Sequence, residues 1–159
     1  MKTKFILFLL AVLIQSCVLD ENEFTNERTN YVGKAFRLDG CYIRYGDSSI
    51  WCRYNFFYRN GIMFRFSDSC GIENVNQFKI VPWGYNSRPS WTIFHVKDNR
   101  ITVKYWEDYP SLFSLPSSYD YYNIINDTTL SHLDSEGKTE YYNFKKFTTK
   151  PDSINRFIK

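Results

Sequence analysis

The chain has 159 residues, with 20 lysines and arginines against 17 aspartates and glutamates. A formal charge of +3 is too small to mark a polyanion-binding protein, and 43% hydrophobic with 23% charged residues is the balance of a globular domain, which excludes a collagen, a disordered chain and a polytopic membrane protein. Aromatic residues reach 19%, and such side chains favour pleated, half-buried surfaces, so the composition favours a β-rich fold.

Met1 to Lys4 carries two lysines, Phe5 to Ile14 is an unbroken apolar run, and Gln15-Ser16-Cys17 follows. This is the layout of a secretion signal, and the run is too short for a membrane-spanning helix, which needs about 20 residues. Ile14-Gln15-Ser16-Cys17 also resembles the lipobox of bacterial lipoproteins. The resemblance implies that residues 1–16 are removed as a signal peptide and that Cys17 is acylated, making the membrane a partner through its anchor. Residues 17–33 are polar and acidic and read as a tether. Asp20, Glu21 and Glu23 resemble the acidic export signal of surface lipoproteins in Bacteroidota, which implies the outer membrane and the cell surface.

Residues 34–159 read as one β-barrel domain. Ala35 to Tyr45, Trp51 to Arg59, Ile62 to Ser67, Trp91 to Lys97, Arg100 to Trp106, Tyr121 to Asn126, Thr128 to Leu133 and Glu140 to Phe147 are strand-like, separated by turn residues and without sustained helical periodicity. A two-residue hairpin at Asn60-Gly61 would mix polar and apolar side chains on each face. A three-residue loop with Gly61 in the left-handed conformation instead pairs Tyr58, Phe56 and Tyr54 with Ile62, Phe64 and Phe66, and one face becomes wholly apolar. On this register Phe36, Leu38, Gly40 and Tyr42 extend the apolar face, while Arg37, Asp39, Arg53, Arg59 and Arg65 point to water. Asp98-Asn99 makes a two-residue turn that sets Phe94 and Val96 against Val103 and Ile101, with His95 and Lys104 outside. Ser135 to Lys138 closes a third hairpin. After Pro151, Ile154, Phe157 and Ile158 share one face of a short helical tail.

Eight antiparallel strands in a chain of this size suit a small lipocalin-like barrel, whose closure removes exposed edges; a two-sheet β-sandwich is the alternative. The order of parts resembles the short lipocalin-like lipoproteins of Bacteroidota, through Leu38-Asp39-Gly40-Cys41-Tyr42, Trp91-Thr92-Ile93, Tyr122-Asn123-Ile124 with Asn126 to Leu130, and Tyr142 to Phe147 with Lys150 to Ser153. The resemblance implies a calycin-type barrel and a ligand in its lumen. The expected lining is Tyr42, Tyr54, Phe56, Tyr58, Phe64, Phe94 and Tyr105, where tyrosine hydroxyls near the mouth would orient a guest.

His95 and His132 lack metal-ligand spacing, and Cys41, Cys52 and Cys70 form no C-x-x-C pair, so no metal or other cofactor is expected. Cys52 and Cys70 lie a diagonal apart on one face and form the expected disulfide, with Cys41 on the other face. No phosphate loop, nucleophile elbow or zincin motif is present. Asp39, Glu107, Asp108 and Asp120 would have to supply any glycosidase carboxylate pair. Arg44, Arg53, Arg59 and Arg65 interleave with aromatic residues, but the register puts most of the rings on the other face, so nucleic acid is not expected. Lys145, Lys146, Lys150, Arg156 and Lys159 make the C-terminal end basic, a solvated surface or a contact for anionic lipid. Two functions follow: a non-enzymatic envelope lipoprotein whose barrel binds a small apolar or planar ligand or an envelope protein, or a carbohydrate-active enzyme or glycan-binding module with paired acids of raised pKa.

Overall fold

The structure, a computed structural model, describes residues 23–46, 50–72, 88–106, 117–147 and 149–158. The expected signal peptide, Cys17, Glu107, Asp108 and Lys159 lie outside the described residues.

Strands β1 (Gly40–Tyr45), β2 (Trp51–Phe57), β3 (Ile62–Ser69), β4 (Trp91–Lys97), β5 (Arg100–Trp106), β6 (Ser117–Asn126), β7 (Thr129–Leu133) and β8 (Thr139–Lys146) form a closed antiparallel barrel in sequence order, β8 pairing back onto β1. This is the lipocalin-like barrel and not the sandwich. The expected registers of the β2–β3 and β4–β5 hairpins hold. Tyr54 pairs with Phe66 and Phe56 with Phe64, with Gly61 at φ 77° in the turn. Phe94 pairs with Val103 and Val96 with Ile101 across a turn in which Asp98 adopts φ 54°. In the third turn the Asp134 carboxylate accepts the amides of Glu136 and Lys138.

Contacts between non-neighbouring strands show which face is the lumen, because only inward side chains meet across a barrel. Asn55 of β2 donates to the Tyr122 hydroxyl of β6 at 3.3 Å, Arg65 of β3 pairs with Asp120 of β6 at 2.9 Å, and the Tyr122 ring meets Tyr142 of β8 edge-on at 5.3 Å. Tyr42, Phe94 and Tyr105 point into the lumen, as expected. Tyr54, Phe56, Tyr58 and Phe64 do not: they lie on the outside of the barrel with Ile43 and Trp91, in a second apolar core. Arg53 and Arg65, expected to point to water from the outer face, stand on the inner face at the mouth, where Arg53 remains exposed. Alternation separates two faces but does not say which is concave, and β2 is buried on both, since Tyr54, Asn55, Phe56 and Phe57 are all buried.

Strand β1 also begins later than the sequence pattern suggests. It starts at Gly40 and pairs Tyr42 with Asn55, so Cys41 and Ile43, not Tyr42, share the face of Tyr54 and Phe56. Gly40 lets β1 and β8 approach closely: a Cβ there would stand 2.1 Å from the Lys145 carbonyl oxygen. The Cys52–Cys70 disulfide forms as expected, on the outer face, and Cys41 lies on that face too, in the outer core with Cys52. Its thiol is fully buried and burial pushes its pKa up to about 12. Iodoacetamide is therefore expected to leave Cys41 unmodified in the native protein and to alkylate it only after unfolding, as peptide mapping would show; native alkylation would place Cys41 elsewhere.

The outer core needs a roof, and the chain ends supply it. Helix α1 (Glu23–Glu27) stacks Phe24 on Trp106 with ring centroids 3.9 Å apart, and Glu27 pairs with the almost fully buried Lys104 at 2.7 Å. The described part of the expected tether is thus not free of the barrel: from residue 23 onward it runs down the outside of β4 and β5, where Thr29 meets His95 at 3.1 Å, to the Arg59 carbonyl, which accepts the Tyr31 amide. Residues 31–38 then cross one end of the barrel and close it. Phe36 sits edge-on to Phe57 and Phe94, the Arg37 amide donates to the Tyr42 hydroxyl at 2.9 Å, and that hydroxyl donates to the Asp127 carbonyl at 2.7 Å.

The C-terminal tail docks through Phe147 and Ile158, but residues 149–158 hold no helix and Ile154 is exposed. Asp152 accepts the amide of Ile154, and Asn155 accepts those of Phe157 and Ile158; these side chains offer the backbone local partners that compete with helical ones. Lys150, expected on a solvated surface, is instead a pin. Its ammonium lies over the Tyr58 ring at 4.0 Å and donates to the carbonyls of Leu38 and Phe57, and burial lowers its pKa to about 8.

Candidate functional site at the open end of the barrel

Inward positions on a strand recur every second residue, so the lumen is built in layers. The middle layer includes Tyr42, Asn55, Met63, Val103, Tyr122, Leu130 and Tyr142, all buried. One step toward the end opposite Phe36, those strands present Arg44, Arg53, Arg65, Tyr105, Asp120, His132 and Glu140. The side chains change from apolar to ionisable within two residues on five of the seven strands, and β2 passes from the polar Asn55 to Arg53. Above the layer lies a cavity of about 510 Å³ whose lining includes Arg53, Arg65, Tyr105, Asp120, His132 and Glu140, with Ser67 and Asp134 at the rim.

Most of the layer is internally paired. Arg65 holds Asp120 at 2.9 Å and lies over the Tyr105 ring at 4.1 Å. Arg44 pairs with Glu140. His132 stands between two carboxylates, its Nε2 3.6 Å from Asp120 and its Nδ1 3.5 Å from Glu140. Burial would raise the pKa of Asp120, but the His132 hydrogen bond and the field of Arg65 outweigh it and hold the carboxyl below its ordinary value.

Four polar atoms of this region are buried with no hydrogen-bond partner among the described residues: Arg44 Nε, Asn55 Oδ1, His132 Nδ1 and Glu140 Oε2. Arg53 is the arginine of the layer without an ion pair among the described residues: its guanidinium feels the Asp120 charge from a distance and makes one long hydrogen bond, 3.4 Å, to the Tyr142 hydroxyl. An unsatisfied buried polar group costs about 1–3 kcal/mol, so a layer that keeps several is poorly explained by stability alone.

Because Asp120 has a lowered folded-state pKa, the unfolded chain binds its proton first as pH falls. Its contribution to stability is therefore present above the ordinary carboxylate pKa and lost as pH drops through the lower, folded value. Asp120→Asn is expected to flatten the fall of thermal stability below about pH 4; a variant with the wild-type slope would show that Asp120 is not held charged.

Of the expected lining, the structure brings only Tyr105 to the cavity, while Tyr42 and Phe94 pack deeper in the closed half with Phe36 and Phe57. Sequence reasoning missed Arg44, Arg53, Arg65, His132 and Glu140 as a group. Their signal is an inward-phase charge two residues from a large apolar or aromatic position, repeated strand after strand, as in Tyr42-Ile43-Arg44, Asp120-Tyr121-Tyr122 and Glu140-Tyr141-Tyr142. Neither Asp39, salt-bridged to Arg37, nor Asp120 carries the raised pKa expected of a glycosidase acid. No group of three or more His, Cys, Asp or Glu side chains among the described residues could hold a metal ion. Compared with family models, curated proteins and solved structures, the chain matches none.

Proposed function

We propose that this protein is a lipocalin-like lipoprotein of the bacterial envelope, anchored through Cys17, whose barrel mouth binds a small ligand bearing an acidic group. The observation that carries the ligand class is Arg53, a solvent-exposed side chain on the wall of an open cavity whose guanidinium forms no ion pair among the described residues. A fork of five N–H donors suits a carboxylate or phosphate, and the Tyr105 ring nearby offers a face for a planar group. A purely apolar guest fits less well, since Phe36, Phe57 and Phe94 fill the apolar half of the lumen. Binding without turnover is favoured because both acids of the layer are paired with arginines and Asp120 is held charged.

The purified protein is expected to show saturable thermal stabilisation by benzoate or inorganic phosphate, reaching about 1.4 kcal/mol at roughly ten times Kd, and to lose it in Arg53→Gln. Wild-type protein indifferent to both anions would remove this reading.

A further inference from the structure

The first described residues lie at the open end of the barrel, which is not where a barrel carried on a long tether would need them. Phe24 stacks on Trp106, the last residue of β5, and Trp106 pairs with Ser117, the first of β6; both mark the mouth. Between Glu23 and Cys17 lie only six peptide units, which span at most about 21 Å. Ten residues of β6 run about 33 Å along the strand, or about 25 Å of barrel height at the usual tilt. A barrel standing on its closed end would hold Glu23 higher than its tether can reach.

The rim of the mouth has the side chains for the other orientation. Tyr45 ends β1, Ile50 precedes and Trp51 begins β2, and Leu133 ends β7; they are 58%, 63%, 60% and 63% exposed. Tyrosine, tryptophan and aliphatic residues at this density suit the headgroup zone of a bilayer, where an apolar ring and a polar tip are both satisfied. Among the described residues the closed end exposes the aliphatic Val32, Ile125 and Ile154 but no aromatic ring that matches this, and Lys150 there is occupied by two carbonyls.

We infer that the mouth faces the membrane that anchors the chain, with Tyr45, Ile50, Trp51 and Leu133 in its interface, and that the acidic group taken by Arg53 is the phosphate of a lipid headgroup. The inference rests on the lipid anchor and on the mouth as an anion site, and it adds the source of the anion. Arg44 and Arg65 are held by Glu140 and Asp120, so Arg53 is the guanidinium free to turn toward a headgroup.

The test reconstitutes the acylated full-length product in phosphatidylcholine vesicles brominated on their acyl chains, with or without phosphatidylglycerol, and reads tryptophan emission. Part of the emission is expected to be quenched, that part to disappear in Trp51→Phe, and the quenching to grow with phosphatidylglycerol. Arg53→Gln is expected to raise the phosphatidylglycerol fraction needed for half-maximal quenching about fivefold, the ratio corresponding to about 1 kcal/mol for one arginine at an anionic surface. Quenching unchanged by Trp51→Phe overturns the orientation. A phosphatidylglycerol response unchanged by Arg53→Gln overturns the lipid source. Trp51 is exposed, so its substitution reads the orientation even if Arg53→Gln does not fold. Absence of labelled fatty acid on Cys17 is scored separately and counts against the anchor, whereas phosphate binding in solution without quenching keeps the mouth and removes the membrane.

Discussion

Phe56→Ala is expected to destabilise the protein by about 3–5 kcal/mol while leaving anion uptake at the mouth unchanged. Phe56 is fully buried, stacked with Phe64 and met edge-on by Phe147 at 5.5 Å, yet it lies outside the barrel wall. Truncation opens a cavity between the sheet and the C-terminal segment, and the loss combines the transfer free energy of the ring with that of the cavity. Denaturant unfolding measures the first effect and benzoate titration the second. A ring that lined a ligand lumen would behave in the opposite way, costing little stability and altering uptake, and that outcome would return Phe56 to the inside.

This contrast marks the limit of what the sequence conveys. Strand positions, the three turns and the pairing of Phe56 with Phe64 were legible because period-2 alternation and turn residues such as Gly61 and Asp98 are local. Closure into a barrel was legible as well, since eight short strands otherwise leave edges exposed. The direction of the faces was not, because it depends on what covers the outer surface. A polar tether and a basic tail give no sign that Phe24, Phe147 and Ile158 roof β2 and β3, so in the sequence the more apolar face reads as the concave one. Once that assignment reverses, Arg53 and Arg65 move from solvent to the mouth, and the expected apolar ligand gives way to an acidic one. Tyr105 kept its place because its hairpin register with β4 was correct and β5 turns the same face inward. The disulfide also survived the reversal, as Cys52 and Cys70 needed only to share a face.

Replacing Glu140 alone should show why the charged layer is there. Its side chain is 10% exposed and pairs with Arg44, itself 27% exposed, while its other oxygen faces His132 Nδ1 without a hydrogen bond. Glu140→Ala leaves the Arg44 guanidinium partly buried and uncompensated, and is expected to cost about 3 kcal/mol, the low end for a broken buried pair given the residual exposure of Arg44. Replacing both, as Arg44→Met with Glu140→Leu, removes the stranded charge and the orphaned atoms together. The double variant is expected to recover most of the lost stability, because apolar replacements of a buried pair are often neutral or stabilising. Chemical denaturation of the two single variants and the double variant gives the coupling directly. Recovery in stability accompanied by weaker phosphate or benzoate binding would mean that the fold does not need the pair and the site does: Arg44 and Glu140 then hold Arg53 and His132 in a polar, solvated mouth that an apolar plug would close. A double variant as unstable as Glu140→Ala would instead make the layer part of the barrel's own packing, leaving Arg53 as the one residue of the mouth free for a guest.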